Sequence, residues 1–374
     1  MLGWLIALAW LLRVLEWRFH LRNVPDLTKP AYATPTGPLP RLSVIVPARN
    51  EAANIGATLD SLLATEGVDL QLIAVDDRSD DQTGAIMGTF ADRAVILHVT
   101  ELPAGWLGKT HAMEMAAQQA TGDWLLFTDA DVLFDPEALR RALHFAVSSG
   151  ADHMVLLPTV VLRSWGERMM IAFLQVLSLW ALRVWRVPDP RARRDALGVG
   201  AFNLIRRDVY DALGGWDALR MEVLEDLSLG RRVKEKGYAQ RVALGLDLVR
   251  VRWAKGAFGV VDNLTKNLFA LCNFRPERVL GLTAGIALFT LFPLVVGWAV
   301  VLLLPALLLA YQTAGKYHHF TAAQLPMFPI ASLLLQYALL RSMLQVLWRG
   351  GVTWRGTFYS LKELRCNASV VRHS

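Results

Sequence analysis

Asp129 and Asp131 stand one residue apart behind the apolar run Trp124–Phe127, in the stretch WLLFTDADV. Two carboxylates so spaced can reach one hard cation whose other ligands are waters and phosphate oxygens, as Mg2+ or Mn2+ prefers. They can equally be punctuation, because Asp is a common turn residue after a strand. The triplet alone leaves both readings open. A second acidic group lies upstream: AVDDRSDDQT, Ala74–Thr83, places four carboxylates within six residues. Such a cluster repels itself unless cations, donors or water neutralise it. Asp76, at the end of an apolar run, is best placed to accept from a nucleobase N–H. Asp81 suits a helix cap, and Asp80 can face water.

Two further stretches carry groups with chemistry. SVIVPARNEAANI, Ser43–Ile55, ends a strand and opens a helix through Pro47, Asn50 and Glu51. Helix capping accounts for Asn and Glu there without any ligand. GWLGKTH, Gly105–His111, sets Lys109 in a Gly-flanked loop before a helix, where its ammonium can meet a diphosphate as a point charge. His111 at the same helix start is a ligand, a cap or a surface residue.

The elements that position these groups follow from the apolar pattern. LSVIV (Leu42–Val46), LQLIAV (Leu70–Val75), AVILHV (Ala94–Val99) and DWLLF (Asp123–Phe127) are short continuous apolar runs. Helix-like stretches such as Glu51–Leu63 and His111–Ala120 lie between most of them. Continuous rather than alternating strands, separated by helices, predict an α/β domain with a mainly parallel sheet covered on both faces. Ligands bind such sheets at the carboxyl ends of the strands. Asp76 and Asp77 follow one strand and Asp129 and Asp131 another, so both pairs belong to one rim.

The 374-residue chain is 54% hydrophobic, which is too apolar for a soluble protein of its size, and the excess sits at the two ends. Its net charge of +6 gathers beside the apolar segments (Arg13, Arg18, Arg22; Arg341, Arg349, Arg355, Lys362, Arg365). That placement suits anionic headgroups and argues against a nucleic-acid partner. Cys272 and Cys366 make neither a disulfide framework nor a thiolate metal site, as expected of a reducing cytosolic compartment. Residues 1–22 read as an uncleaved anchor. The rival is a signal peptide cut near Ala31–Ala33, but the positive charge follows the apolar run instead of preceding it. Residues 23–40 read as a Pro-rich linker, 41–260 as the catalytic domain and 261–350 as a C-terminal membrane region. Residues 351–374 read as a cytosolic basic tail. Within the domain, Met169–Trp185 predicts an interfacial helix, about 165–186. The uncharged run Val279–Tyr311 enters the bilayer as one tilted span or a hairpin, a last apolar segment runs from about Leu325 to Leu347, and the basic tail favours an even number of crossings after the catalytic domain.

Taken in succession, these stretches resemble the inverting family 2 glycosyltransferases of GT-A fold, which bind nucleotide sugars. The membrane-bound branch is the most similar, the ceramide-, carotenoid- and hopanoid-type lipid glycosyltransferases and, more distantly, cellulose synthase. The resemblance covers about Leu42–Gly256. It implies that Pro47, Asn50, Glu51 and Asp76 form the nucleotide face and that Asp129 and Asp131 are a DxD motif, with Asp131 on the metal. It makes GAFNLIRRDVYDALGGWD, from Gly200, an acceptor-side loop and helix. In VLEDLSLGRRVKEKGY it makes Asp226 the general base beside Glu225 on the acceptor side; first-turn carboxylates that complement a helix dipole are the plainer reading. Arg252 and Trp253 match the end of a Gln-x-x-Arg-Trp block, for a leaving diphosphate and an acceptor. The Gln position is Val249 here, which weakens the case for a processive polysaccharide synthase. The expected activity is metal-dependent transfer of one sugar, from a UDP-hexose, to a hydroxyl of a membrane lipid. A polysaccharide synthase is the alternative, and a catalytically inactive membrane scaffold is the alternative of another class.

Overall fold

The structure is a computed structural model that describes residues 1–33, 37–317, 320–354 and 357–367. Residues 34–36 of the Pro-rich stretch, and 355–356 and 368–374 of the basic tail, lie outside the described residues. Two compact units share the chain: Met1–Asn23, Val160–Arg183 and Arg252–Ser374 form one, Val24–Thr159 and Val184–Val251 the other.

The second unit contains the strands β1 Leu42–Ala48, β2 Leu70–Asp77, β3 Val95–Val99 and β4 Trp124–Phe127. It continues with β5 Val132–Phe134, β6 His153–Val160, β7 Asn203–Arg206 and β8 Gln240–Val251. They form one eight-stranded sheet in the order β3-β2-β1-β4-β7-β6-β8-β5. The half read from the apolar runs is parallel: β1 pairs with β2 and β4, and β2 with β3. Alternate residues of β1 explain why that half reads as a continuous apolar run. Val44 and Val46 pack with Leu59 and Leu143 on one face, while Ile45 packs with Ala116 and Leu229 on the other. Each fully buried Val, Leu or Ile contributes about 1.5–3 kcal/mol, and only a sheet covered on both faces requires every strand residue to be apolar.

The other half is antiparallel at β4–β7, β6–β7 and β5–β8. Because β7 runs against β4, its first residue, Asn203, lies opposite Phe127, the last residue of β4. That reversal brings a segment more than seventy positions downstream to the rim that carries the TDAD turn. The stretch before β1 is also tied to this unit: Leu27 is fully buried, its N–H donates to Leu244 O, and its carbonyl accepts from Arg141.

The first unit is helical, comprising Leu2–His20, Trp165–Ala181, Gly256–Leu271, Pro276–Thr290, Phe292–Val295, Val300–Gly315 and Phe328–Arg349, with a hairpin of β9 Gly351–Trp354 and β10 Thr357–Ser360 and a helix Leu361–Asn367. Among the described residues three helical segments are long and apolar enough to cross a membrane: Pro276–Val295, Gly297–Gly315 and Ala322–Arg349. The run Val279–Tyr311 is therefore two segments, broken near Pro293 and at Gly297, whose φ of 54° is left-handed; Pro and a left-handed Gly are the residues that interrupt a helix. The expected N-terminal span is a helix, Leu2–His20, but Arg13, Glu16 and Arg18 leave it outside these three. Its Leu5, Leu8, Leu12 and Leu15 are exposed. Trp10 is fully buried and donates from Nε1 to Phe289 O at 2.9 Å. Buried hydroxyls staple the other helices, Thr290 to Ser332 and Ser342 to Thr265 O. Arg341 pairs with Asp262, which accounts for a charge within an apolar helix.

Candidate active site

Two loops at the carboxyl ends of β1 and β2 hold each other. Asn50 adopts φ 55°, a left-handed conformation that Asn tolerates. Its N–H donates to Ser79 Oγ and its Oδ1 accepts from Asp80 N. Glu51 N donates to Thr83 Oγ1 and Ala52 N to Asp81 Oδ2. Asn54, not Asn50, is the residue before the Ile55–Leu63 helix, so Asn50 joins two loops and caps nothing. Asp81 accepts from Thr83 N–H, a local cap. Asp76 is almost buried; it accepts from Ser79 N and lies 3.4 Å from His98 Nδ1. Asp77 is fully buried and pairs with Arg78. Pro47 lies in β1, in register with Val75.

Beside this rim, a small recess is lined by Lys109, Met113, Phe127, Thr128, Gly200, Asn203, Trp216, Glu225 and Asp226. Lys109 reaches both Asp129 Oδ1 and Glu225 Oε1 at 2.6 Å, joining the TDAD turn to the Glu225–Glu235 helix. Among the described residues no cation pairs with Asp131 in this way. Burial first, then the Asp129 and Glu51 carboxylates, push its carboxyl up to about 6, with Lys109 offsetting part of the effect. Asp226 is raised further, to about 7, by burial and then by Glu225, again against Lys109.

Glycine lets the backbone close around these carboxylates. A Cβ on Gly198 would fall 1.7 Å from the carbonyl oxygen of Asp226, and one on Gly230 would fall 2.0 Å from Leu197 O. A Cβ on Gly200 would meet Asp129 Oδ2 at 2.6 Å. Gly198→Ala is therefore expected to push the start of the Glu225–Glu235 helix away. Such overpacking costs about 1–3 kcal/mol of stability, and a shift near 1 Å costs about a hundred-fold in turnover. A thermal melt beside kcat checks this, and wild-type kcat in the variant would contradict the close-approach account.

Behind the recess lies a buried polar chain. His153 Nε2 and Asn203 Oδ1 are 2.6 Å apart, and Gln240 Nε2 is 2.9 Å from His153 Nδ1. Gln240 also grips Leu197 from both sides, accepting from its N–H and donating to its carbonyl. Burial holds the fully enclosed His153 down at about 4, against about 6.5 for a free histidine. The folded protein thus keeps His153 neutral in a range where the unfolded chain takes up a proton. Its contribution is complete above pH ~6.5 and is lost as pH falls from there to ~4, up to about 3 kcal/mol. The melting temperature is expected to drop more between pH 7.5 and 5 in the wild type than in His153→Phe. Equal drops would show that His153 is not the group responsible.

Arg252 and Trp253 follow β8 and belong to the first unit, so neither is among the residues lining the recess. Arg252 Nη2 donates to Glu167 Oε1 at 3.3 Å, and Gly256 N donates to the same oxygen at 2.8 Å. Glu167 forms a capping box with Ser164 at the start of the Trp165–Ala181 helix. Burial alone would raise its carboxyl, but the N–H groups of Gly256, Arg163 and Ser164 and the Arg252 guanidinium outweigh it and hold it at about 2. Glu167, Gly198, Asn203, His153 and Gln240 were not singled out from the sequence. The Ser-x-x-Glu spacing of SWGE was a readable capping signal; nothing local marks the other four.

The mainly parallel half-sheet, with its acidic rim at the strand ends, has the GT-A fold. Residues 43–214 match the family model described as Glycosyl transferase family 2, and the chain is a glycosyltransferase with a domain of that family. It is similar to the 4,4'-diaponeurosporenoate glycosyltransferase of Staphylococcus aureus (strain USA300), 23% identical over 86% of this chain and 89% of that protein. Among solved structures it is similar in fold to a mannosyltransferase from Pyrobaculum calidifontis in complex with GDP-Man and Mn2+. The TM-score is 0.50 and the identity 20%, covering 93% of this chain and 99% of that one.

Proposed function

We propose that the protein transfers a single sugar, with inversion, from a nucleoside diphosphate sugar, a UDP-hexose in the first instance, to a hydroxyl of a membrane lipid at the cytosolic leaflet. The observation that carries this reading is Asp226, a half-buried carboxylate beside Glu225 that favours taking up a proton and lines the recess with Lys109. An acceptor hydroxyl is a poor nucleophile until such a group removes its proton. The acceptor oxygen forms its bond to the anomeric carbon as the bond to the diphosphate breaks, its proton passes to Asp226, and the configuration inverts. Pro47, Asn50, Glu51 and Asp76 serve the nucleotide, Lys109 and Arg252 the diphosphate, and Glu225, Gly200 and Trp253 the acceptor side. A lipid acceptor is supported by the three membrane-crossing candidates and by the relative named for 4,4'-diaponeurosporenoate. The basic flanks support a multi-pass chain with its catalytic unit on the cytosolic side of the cell membrane.

A divalent cation fits this site in one way. Among the described residues no group of three or more His, Cys, Asp or Glu side chains could enclose a metal. The protein would thus supply Asp131, with Asp129 as its nucleotide-side helper, and the substrate phosphates would supply further oxygens, as is usual for Mg2+ or Mn2+. Asp131 lies half-buried among like charges, a state that a cation relieves. When bound, the cation offsets charge that builds on the departing diphosphate.

The test is to incubate the purified protein with UDP-glucose and membrane lipids, with and without EDTA, and to weigh the lipids by mass spectrometry. One added hexose per lipid is expected, lost with EDTA. GDP-mannose is the first alternative donor. A polymer would favour the polysaccharide synthase, and no product from any donor would favour a binding scaffold.

A further inference from the structure

Asn203 is a residue to which neither the resemblance nor the mechanism above gives a role, and the structure fixes which way its amide faces. The backbone of Leu197 sets the polarity, since an N–H can only donate and a carbonyl can only accept. Gln240 Oε1 accepts from Leu197 N at 3.0 Å and Gln240 Nε2 donates to Leu197 O at 2.8 Å, so the amide of Gln240 is not free to flip. Its Nε2 is therefore the donor in the 2.9 Å contact with His153 Nδ1. A neutral imidazole that accepts at Nδ1 carries its proton on Nε2. That proton goes to Asn203 Oδ1, 2.6 Å away. The oxygen branch of Asn203 is thus committed to the core, and the amide NH2 is its other branch.

Asn203 lines the recess together with Asp226, Glu225 and Lys109. Among the described residues no acceptor meets its NH2. Trp216, another lining residue, is almost fully buried, and its indole N–H has no partner among the described residues. The buried indole N–H calls for an oxygen atom, because buried N–H groups are normally paired; the Asn203 NH2, which is not sealed from solvent, opens onto the recess where a ligand oxygen can meet it.

We propose that Asn203 donates from its amide NH2 to a substrate hydroxyl oxygen in this recess, and that Gln240 and His153 are positioning residues that hold it in that orientation. The proposal deepens the glycosyl-transfer reading and rests on it for the identity of the ligand. The hydroxyl belongs to the donor sugar or to the acceptor, and both present the same chemistry. A three-link chain suits the task. An asparagine alone can turn either end toward a ligand, and a reversed amide would present a lone pair where a hydroxyl near Asp226 needs a donor.

The full-length enzyme in detergent, with UDP-glucose as donor and dodecanol as acceptor, separates the cases. Asn203→Ala is expected to lower kcat/KM about ten-fold, the usual scale for one neutral hydrogen bond. If hydrolysis of UDP-glucose without acceptor is unchanged, the oxygen is the acceptor's; if hydrolysis falls alongside, it is the sugar's. His153→Phe is expected to give a similar loss, and none beyond it in an Asn203→Ala background, because it acts through Asn203. A correctly melting Asn203→Ala with wild-type kcat/KM, or additive losses, would overturn the proposal. A 15N spectrum of the wild-type imidazoles, assigned by its difference from His153→Phe, reads the orientation without any turnover. Protonated Nε2 with bare Nδ1 is expected, and the opposite tautomer refutes the chain whatever the enzyme transfers. If the wild type moves no sugar at all, the transfer reading falls, and the spectrum still decides the orientation.

Discussion

Asp226→Asn is expected to reduce sugar transfer about a thousand-fold while leaving donor binding in place. The amide keeps the size and shape of the carboxyl and its hydrogen bond from Leu227 N, but it cannot take a proton from the acceptor. General-base catalysis supplies about 10²–10⁴ in rate, and its loss falls on kcat, because the donor does not depend on that proton. Removing a negative charge from beside Glu225 leaves the fold no less stable. The wild-type pH profile follows from the same burial. Asp226 works as a carboxylate, and its folded value lies near 7, so turnover should climb as pH rises through neutrality and then level off. In Asp226→Asn that climb should vanish. Turnover and its pH profile, measured with isothermal titration of UDP-glucose, check all three statements. A variant retaining a tenth of wild-type turnover would remove Asp226 from the chemistry. An acceptor that is already a carboxylate has no proton to give up, so the loss should be far smaller with a lipid acid than with a lipid alcohol.

The acidic rim was legible in the sequence because it depends on local order. A continuous apolar run announces a strand buried on both faces, and the carboxylate that follows it falls at the strand's end; Asp76, Asp129 and Asp131 were found in that way. Asp226 was singled out through the resemblance, since an acidic pair at a helix start is by itself accounted for by the helix dipole. What remained hidden depends on contacts between distant segments. Asn203 reaches the site only because β7 runs antiparallel between β4 and β6, and a four-residue strand is too short to show a period. Gln240 and Leu197 are 43 residues apart, and glutamine carries no signal that it will clamp a backbone. Gly198 looks like any loop glycine until the carbonyl of Asp226 is seen against it. At the N-terminus the positive charge behind the apolar run suggested an uncleaved anchor, and Arg13, Glu16 and Arg18 sit within the helix itself. Lys109 was read as a free cation for a diphosphate, but the fold gives it two carboxylates.

That last pairing makes the two aspartates of the TDAD turn unequal, and Asp131→Asn and Asp129→Asn should differ in a way their sequence positions do not suggest. Asp131 is half-buried near Asp129 and Glu51, and among the described residues its side chain accepts no hydrogen bond from another residue. Asp131→Asn should therefore relieve repulsion, leaving the metal-free protein as stable as the wild type or more so. It should nevertheless cut Mg2+- or Mn2+-stimulated transfer about 10²–10³-fold, the scale of charge stabilisation that a metal gives a leaving diphosphate. Asp129→Asn takes a charge away from Lys109, whose ion pair with Asp129 is largely sheltered from water. Lys109 keeps Glu225 but loses one of the two carboxylates that offset its burial, which is destabilising, so this variant should melt lower even without metal. Melting curves in EDTA, with titration of Mn2+ into transfer assays, separate the two. Opposite shifts in melting, with metal response lost chiefly in Asp131→Asn, are the expected result. Equal destabilisation would mean that Asp131 is held by protein groups and does not wait for a cation. Activity unaffected by Asp131→Asn would return the turn to punctuation, since a carboxylate that only ends a strand tolerates its amide.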